Sequence, residues 1–323
     1  MIAIDDEMRI PSLGLWLDAR RPRSVSFVSH AHSDHIGNHS RAILTHATAA
    51  LCQPRLSGRA GTQYETRAYG ERFRFGEAML ELLPAGHIAG SAQLAVESET
   101  QTLVYTGDFK LRAGRTATPC IVRRCDTLVM ECTYGRPHYR FPERAAVEAE
   151  IVARCRTAFE RDQTPVIYAY AVGKAQEIVA LLSHAGLAVM AHPAVAASCV
   201  RYEALGVPVG AWQPYDECTR AGHVLVMPPE ARRSSSIKRV YPRFEIAATG
   251  WAVDAGTRFR LGVDLALPFS DHADYTELLE YVERAQPRRV YCTHGFSDFA
   301  FRLRRSGVDA HWLAPNPQLE LFA

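Results

Sequence analysis

The sequence predicts an α/β protein in which a strand-rich part is followed by an α/β segment and then by a strand–helix–strand tail. Short apolar runs, most of them separated by Gly, Asp or basic turns, dominate residues 1–135, which is typical of a sheet-rich unit. Helical spacing of apolar residues begins near 143 and alternates with strand-like runs, and further strands follow near the C-terminus. We therefore expect residues 136–268 to form a segment of domain size between residues 1–135 and 269–323.

The predicted strands of the first part are rich in apolar residues, and they cover residues 24–29, 41–46, 79–84, 92–98, 102–107 and 126–131. The segment 136–268 opens with a helix at 143–162, whose acidic first residues favour a helix start. A strand at 165–170, a turn at Gly173 and a helix to about residue 185 follow. The last part reads as strand, helix and strand, and ends its apolar strand with "VYCTHGF".

Composition indicates a folded globular protein, with 47% hydrophobic and 22% charged residues among 323. The net charge of +2 means that any nucleic-acid surface must be local. The N-terminus "MIAIDDEMRI" lacks the pattern of a signal peptide, and no apolar run reaches membrane-spanning length. We therefore expect a cytoplasmic protein without a membrane partner, whose eight cysteines are reduced thiols. Cys120 and Cys125 lack the second pair that a zinc site would need.

Histidines cluster in the stretch "VSHAHSDHIGNH", which places His30, His32, Asp34 and His35 within six residues. His30 and His32 alternate by two, so on an extended backbone they point the same way. Imidazole and carboxylate groups suit zinc, and also iron or manganese. A lone histidine is more often an ordinary core or surface residue, and seven others are left unassigned: His39, His46, His138, His184, His192, His223 and His311.

Two further segments have the same character, namely His87 between glycines in "PAGHIAGSA" and Asp108 after an apolar strand in "YTGDF". A carboxylate at such a strand end can bridge two cations. The ordered set of H-x-H-x-D-H, a glycine-flanked His and a strand-terminal Gly-Asp resembles the ligand set of the metallo-β-lactamase superfamily. The resemblance implies a first metal on His30, His32 and His87. It implies a second metal on Asp34, His35 and one more ligand, with Asp108 as the bridge.

Three more motifs resemble motifs A, B and C of the β-CASP nucleases: Glu131 in "LVMECTYG", His272 in "LPFSDHADY" and His294 in "RVYCTHGF". That group includes RNase J, the mRNA 3′-end endonuclease, Artemis-like enzymes and the bacterial ligase-associated DNA exonucleases, which the chain resembles most. The resemblance implies a metallo-β-lactamase αββα sandwich with an inserted β-CASP domain. It makes His294 the last ligand of the second metal. The alternatives are structural histidines at strand ends and, for Glu131, a surface or helix-terminal acid.

The resemblance implies a metal-dependent nuclease. Two divalent ions, with zinc expected and manganese as the alternative, would activate a water and neutralise charge on a phosphodiester. His272 is the candidate proton donor to the leaving oxygen, oriented by Glu131. Together with Asp34, these two residues are the candidate catalytic residues.

The basic segment "ARRSSSIKR" (231–239) is the clearest local charge feature. Candidate nucleic-acid contacts are its cations and hydroxyls together with a lysine at a predicted helix start: Lys174, Arg232, Arg233, Ser234, Ser235, Ser236 and Lys238. The alternative is a solvated loop.

The C-terminus "QLELF" resembles the peptide that binds the bacterial sliding clamp, with Gln318, Leu319, Leu321 and Phe322 as contacts. The alternative is a terminal strand that packs on its own domain. Clamp binding would imply DNA as substrate, so we expect a DNA exonuclease in DNA repair, with a DNA ligase and a helicase as further partners. An RNA-processing nuclease, an inactive nucleic-acid-binding scaffold and a small-molecule hydrolase are the alternatives.

Overall fold

The computed structural model of the chain describes residues 4–5, 8–56, 62–218 and 220–313. The chain divides into two compact units. The first unit consists of residues 1–113, 117–138 and 272–323, and the inserted unit consists of residues 114–116 and 139–271. All eight cysteines are free thiols.

The strands in chain order are β1 (Arg9–Ile10), β2 (Leu15–Leu17), β3 (Val25–Phe27), β4 (Arg41–Thr45), β5 (Gln63–Arg67), β6 (Arg72–Phe75), β7 (Ala78–Pro84), β8 (Ala92–Glu97), β9 (Thr102–Tyr105), β10 (Thr127–Cys132), β11 (Thr164–Tyr168), β12 (Val189–Ala191), β13 (Gln213–Pro214), β14 (Val224–Met227), β15 (Arg243–Ala248), β16 (Leu265–Leu267), β17 (Arg289–Gly295) and β18 (Asp309–Trp312).

The α-helices are α1 (His46–Leu56), α2 (Arg144–Glu160), α3 (Lys174–His184), α4 (Pro193–Ala204), α5 (Ser235–Lys238), α6 (Thr257–Leu261), α7 (Tyr275–Ala285) and α8 (Asp298–Arg305). Among the helices of the described residues, none has both the length and the apolar character that a membrane crossing requires.

The first unit contains two sheets with helices outside them. One sheet has the order β1-β2-β3-β4-β5, and the other has the order β18-β17-β10-β9-β8-β7-β6. Apolar side chains between the sheets form one core, to which β3 contributes Phe27 and β8 contributes Leu94. A second core packs β10 against α7 and α8, and a small cluster joins β4 to α1. This layering confirms the predicted αββα sandwich.

Parallel strand ends position the site. Strands β9, β10 and β17 are parallel neighbours in the larger sheet, so their carboxyl ends meet at one edge. In the smaller sheet, β2 and β3 are also parallel neighbours. Residues that follow parallel strands line a common crevice, which is where open α/β sheets bind their ligands.

The inserted unit has a six-stranded sheet with the order β13-β12-β14-β11-β15-β16, and every neighbouring pair in it is parallel. Its central strands β11 and β14 are buried along nearly their whole length. This burial explains their continuous apolar runs "PVIY" and "VLVM", because a parallel sheet covered on both faces does not alternate apolar with polar residues.

Candidate metal centre

Three imidazoles of the first unit bring ring nitrogens to one point. Nδ1 of His32 lies 3.0 Å from Nε2 of His30 and 3.1 Å from Nε2 of His87. A carboxylate oxygen of Asp108 is 3.5 Å from Nε2 of His30 and completes a group of four donors. Ligands placed 2.0–2.1 Å from zinc at tetrahedral corners would lie about 3.3 Å apart, which is close to these spacings.

A second group shares Asp108 with the first. Nε2 of His35 lies 3.4 Å from Oδ2 of Asp108 and 3.7 Å from Oδ2 of Asp34. Nδ1 of His294 lies 3.9 Å from the other carboxylate oxygen of Asp108. The structure thus brings together all seven predicted ligands, in two groups with a common carboxylate.

The donor set fits divalent cations. Nε2 of His35 is buried and has no hydrogen-bond partner within the described part of the chain, which is costly unless another ligand takes its lone pair. Nδ1 of His32 carries either one proton or one lone pair, so it cannot form good hydrogen bonds with both His30 and His87. A cation at each position would use these lone pairs.

Asp18, which sequence reasoning missed, holds one imidazole of each group. Its carboxylate accepts hydrogen bonds from Nδ1 of His35 (2.8 Å), the Ser29 hydroxyl (2.5 Å), the Ser29 amide (2.6 Å) and the Tyr105 hydroxyl (2.7 Å). The Ser29 oxygen in turn lies 2.9 Å from Nδ1 of His30. Protons on both Nδ1 atoms leave Nε2 of His30 and His35 free to bind metal.

The pairing of β2 with β3 explains how Asp18 reaches this network. Asp18 and Ser29 follow these two strands, and the Asp18 amide donates to the carbonyl of Phe27 at 2.9 Å. The signal available in the sequence is a carboxylate directly after the short apolar run "LWL", upstream of the histidine cluster.

The loop of His87 needs both of its glycines. Gly86 and Gly90 each have φ near +79°, where other residues are strained. A Cβ on Gly86 would lie 2.4 Å from the carbonyl oxygen of Lys110, and one on Gly90 would lie 2.7 Å from the side chain of Ala47. The Ser91 hydroxyl accepts hydrogen bonds from the amides of His87 and Ile88, both at 3.2 Å, and closes the loop.

Asp108 and His294 come from the ends of β9 and β17. His294 has φ +49°, a left-handed conformation that is uncommon for a residue with a side chain and that clusters at functional sites. The next residue, Gly295, has φ +143°, and a Cβ there would lie 2.0 Å from the carbonyl oxygen of Cys132. The backbones at the ends of β17 and β10 are therefore in close contact, with no room for a side chain at Gly295.

Glu131 and His272 form a pair beside Asp108. Glu131 is 1% exposed, and its carboxylate oxygens lie 2.9 and 3.1 Å from Nδ1 of His272. The same carboxylate accepts from the Phe109 amide at 2.9 Å and from the Thr133 hydroxyl at 2.5 Å. These contacts fix the imidazole of His272 through Nδ1.

Burial and neighbouring charges favour neutral His30 and ionised Asp108 in the first group. Burial lowers the pKa of His30 well below its usual value, and the neighbouring His35 lowers it further. Burial would raise the pKa of Asp108, but the adjacent imidazoles, above all His35, hold it well below its usual range.

At the second position, burial acts to lower the pKa of His35, yet Asp108 and Asp18 together raise it well above its usual value. Burial followed by His35 lowers the pKa of His294. Burial acts to raise the pKa of Asp34, but His35, His32 and a backbone hydrogen bond together lower it.

The predicted nucleic-acid contacts lie in the inserted unit, and they differ in their exposure to solvent and in the partners that they already have. Lys174 begins α3 as predicted, but it is 3% exposed and its Nζ lies 3.1 Å from Asp271, so its charge is already neutralised. Arg232 donates to the carbonyl of Gly262, and the hydroxyl of Ser234 caps α5. Arg233, Ser235 and Lys238 are exposed, and Ser236 is half-buried. The predicted clamp-binding residues 318–322 lie outside the described residues.

Comparisons with known proteins agree with this fold and with a metal-dependent hydrolase. The family model of the Zn-dependent metallo-hydrolase RNA specificity domain matches residues 264–313. A probable DNA ligase of Opitutus terrae is 41% identical over 97% of this chain and 31% of its own length. An RNase J-like protein of Methanocaldococcus jannaschii is 28% identical over 49% of this chain and 42% of its own length. The 5′ exonuclease Apollo of Gallus gallus is 28% identical over 82% of this chain and 57% of its own length.

A solved structure, a protein of unknown function from Enterococcus faecalis V583, superposes with a TM-score of 0.62 over 90% of this chain and 79% of its own, at 14% identity. Fold and donor set together define a metallo-β-lactamase-fold metal-binding protein. The α/β insert, the paired Glu131 and His272 and the relatives named above make the chain similar to the β-CASP branch of the superfamily. The chain spans less than two thirds of the length of each of these three relatives.

Proposed function

We propose that the chain is a two-metal phosphodiesterase that hydrolyses DNA as an exonuclease in DNA repair. The observation that carries this proposal is the pair of donor groups sharing Asp108, with the Glu131–His272 pair next to them. A positioned acid of this kind beside the metal ligands suits the cleavage of a phosphodiester, whose leaving oxygen needs a proton.

Each residue has a part in the proposed reaction. Two divalent ions, zinc or alternatively manganese, would supply an activated water and offset the charge that develops on the phosphate. Asp108 keeps the two donor groups at a fixed spacing. His272 donates the proton that the leaving oxygen requires, and Glu131 holds the imidazole in place through Nδ1. Asp34, half-buried beside His35, completes the second group on the side open to solvent.

Similarity to a probable DNA ligase over nearly the whole chain and to a protein named as a 5′ exonuclease supports DNA as the substrate. An RNA-processing nuclease is the second candidate, because the matched family model is described as an RNA specificity domain and an RNase J-like protein is a relative.

End-labelled single- and double-stranded DNA and RNA, each tested with zinc and with manganese, separate these candidates. The proposal predicts stepwise shortening of DNA from one end and slower or absent loss of RNA. Faster RNA cleavage would favour the second candidate. No cleavage of any strand by protein that carries metal by elemental analysis would indicate a binding scaffold instead.

We also propose a partner for the C-terminus. The sequence "QLELF" follows a Pro-Asn-Pro spacer, which disfavours a continuing helix. Deleting residues 318–323 should spare cleavage of short oligonucleotides and remove binding to a bacterial sliding clamp. Unchanged clamp binding together with a large loss of thermal stability would instead place the tail on its own domain. The relative that is a probable DNA ligase makes a ligase a further proposed partner, with a helicase beside it.

A further inference from the structure

The geometry points to a nucleobase subsite at the rim of the metal centre, formed by Arg136 stacked on Phe296. The subsite would take the base of a nucleotide next to the phosphodiester at the metal centre. This inference rests on the proposed nuclease function, because it needs a nucleic-acid strand as the substrate. Neither residue belongs to the donor groups or to the Glu131–His272 pair.

Two turns of the first unit hold the subsite against the metal centre. One turn follows Glu131 and the other follows His294. The Thr133 hydroxyl oxygen lies 3.4 Å from the carbonyl oxygen of His294, and the Phe296 amide donates to the carbonyl of Cys132 at 3.4 Å.

The turns are also packed without spare volume, since a Cβ on Gly135 would lie 2.8 Å from the Cβ of Phe299. Phe296 stands two residues after His294, so their Cα atoms are at most about 7.6 Å apart. The close contacts between the two turns therefore fix the position of Phe296 relative to His294, one of the proposed metal ligands.

Arg136 lies over the ring of Phe296. Its guanidinium carbon is 3.9 Å from the centroid of the Phe296 ring. Its Nε donates to Oδ2 of Asp298 at 3.0 Å, which fixes the edge of the guanidinium and its rotation. The Arg136 side chain remains 42% exposed. With the ring on one face and Asp298 along one edge, the plane presents an ordered cationic surface to solvent.

Such a surface matches a nucleobase better than an isolated phosphate. Bases bind single-strand-specific proteins by stacking on aromatic rings and on arginine planes, with little dependence on sequence. The Arg136–Phe296 contact is not needed to hold the two turns together, because Gly295 already lies directly against Cys132. Exposed ion pairs and cation–π contacts also contribute little to stability. We therefore assign the guanidinium of Arg136 to substrate binding rather than to stabilising the fold.

The test compares substrates with and without a base. Arg136→Ala should raise both KM and the dissociation constant for a single-stranded oligonucleotide by about 5- to 150-fold, the range for losing one base stack. An oligonucleotide with an abasic residue beside the scissile bond should bind the wild type and this variant alike. Hydrolysis of bis(p-nitrophenyl) phosphate, which has no base, and metal content should be unchanged.

Two further variants separate stacking from charge and from packing. Arg136→Lys keeps the charge but not the plane, so the inference predicts that it behaves like Arg136→Ala; wild-type behaviour would overturn it. Arg284→Ala is the matched control, because Arg284 is 50% exposed and pairs with Glu280 on α7. Equal losses on the oligonucleotide and on bis(p-nitrophenyl) phosphate for Arg136→Ala would mark a structural clasp and also overturn the inference.

The outcomes also separate this inference from the proposed function. If the wild type cleaves no oligonucleotide at all, the nuclease proposal fails. Equilibrium binding of intact and abasic oligonucleotides then still decides whether Arg136 stacks on a base.

Discussion

The metal centre and the basic segment 231–239 both emerge from the sequence as clusters of functional residue types, yet they are built in opposite ways. In the metal centre, buried carboxylates fix the imidazoles through Nδ1: Asp18 pairs with Nδ1 of His35, and Glu131 pairs with Nδ1 of His272. In the basic segment, Arg233 and Lys238 are exposed to solvent, while Arg239 pairs with Glu217 at 2.6 Å.

The difference concerns how much each site depends on the fold. A metal or an acid group must be placed within a fraction of an ångström, and only buried hydrogen bonds and tight glycine turns supply that. Phosphate contacts at a surface tolerate movement, and they act through charge more than through geometry. Substitutions in the metal centre should therefore have large, specific effects, and substitutions in the basic segment should have small, additive ones.

The largest effect is expected from Asp108→Ala. This change removes the carboxylate that both donor groups share, so DNA cleavage should fall to background and bound metal should decrease by elemental analysis. Glu99→Ala, at an exposed acid of the same unit, is the control and should behave like the wild type. Full activity of Asp108→Ala would refute the two-metal assignment.

His272→Ala should leave metal content nearly unchanged and slow cleavage by about 10²–10⁴-fold, as is typical when an acid–base group is removed. Glu131→Gln should resemble it, and the double variant should add little, because the two side chains act as one unit. Rates of the three variants, measured on one oligonucleotide, test this. Loss of metal in His272→Ala would make His272 a ligand instead.

A smaller effect is expected from Ser29→Ala. The change removes the hydrogen-bond link between Asp18 and His30, and such outer hydrogen bonds typically contribute about 10- to 100-fold to metal affinity. Competition with a chelator of known affinity would measure it. Tyr105→Phe is the matched comparison, since the Tyr105 hydroxyl donates to the same carboxylate. Equal losses of metal affinity in both variants would contradict a specific role for Ser29.

The smallest effect is expected from the double variant Arg233→Ala/Lys238→Ala. Oligonucleotide affinity at physiological salt should fall only a few-fold, and the slope of log affinity against log salt should decrease by about one for each phosphate that the variant no longer neutralises. Arg161→Ala, at an exposed arginine of the same unit, serves as control. An unchanged slope would show that the segment is a solvated loop.

The comparison also explains which features the sequence can predict. Periodicity predicts the long helix at 143–162, and the structure has it at Arg144–Glu160. The fold class is confirmed, and the seven predicted ligands converge because their motifs sit at strand ends and in glycine turns. The predicted strand at 41–46 is one residue too long, because His46 begins α1.

Two features were beyond sequence reasoning for physical reasons. Asp18 is a single carboxylate without a characteristic spacing, and only the parallel pairing of β2 with β3 brings it to His35. Lys174 does begin a helix, as the sequence predicts, but its charge is buried in an ion pair with Asp271. Asp271 lies 97 residues later in the chain (271 minus 174), and no local sequence pattern identifies it as the partner. The roles assigned to individual site residues stay predictions until the variants are made.

The ligand set also has a consequence for how the protein is made. His294 is synthesised 264 residues after His30, as 294 minus 30 gives, and a ribosome adding 5–20 residues per second needs about 13–53 s for that stretch. The first donor triad is complete once His87 has emerged, but the second group lacks a ligand until β17 has been translated and docked beside β10. A nascent or truncated chain would therefore carry at most a partial centre. Hydrolytic competence would arise only after β17 has left the ribosome and docked, which keeps shorter nascent chains from acting on nucleic acid.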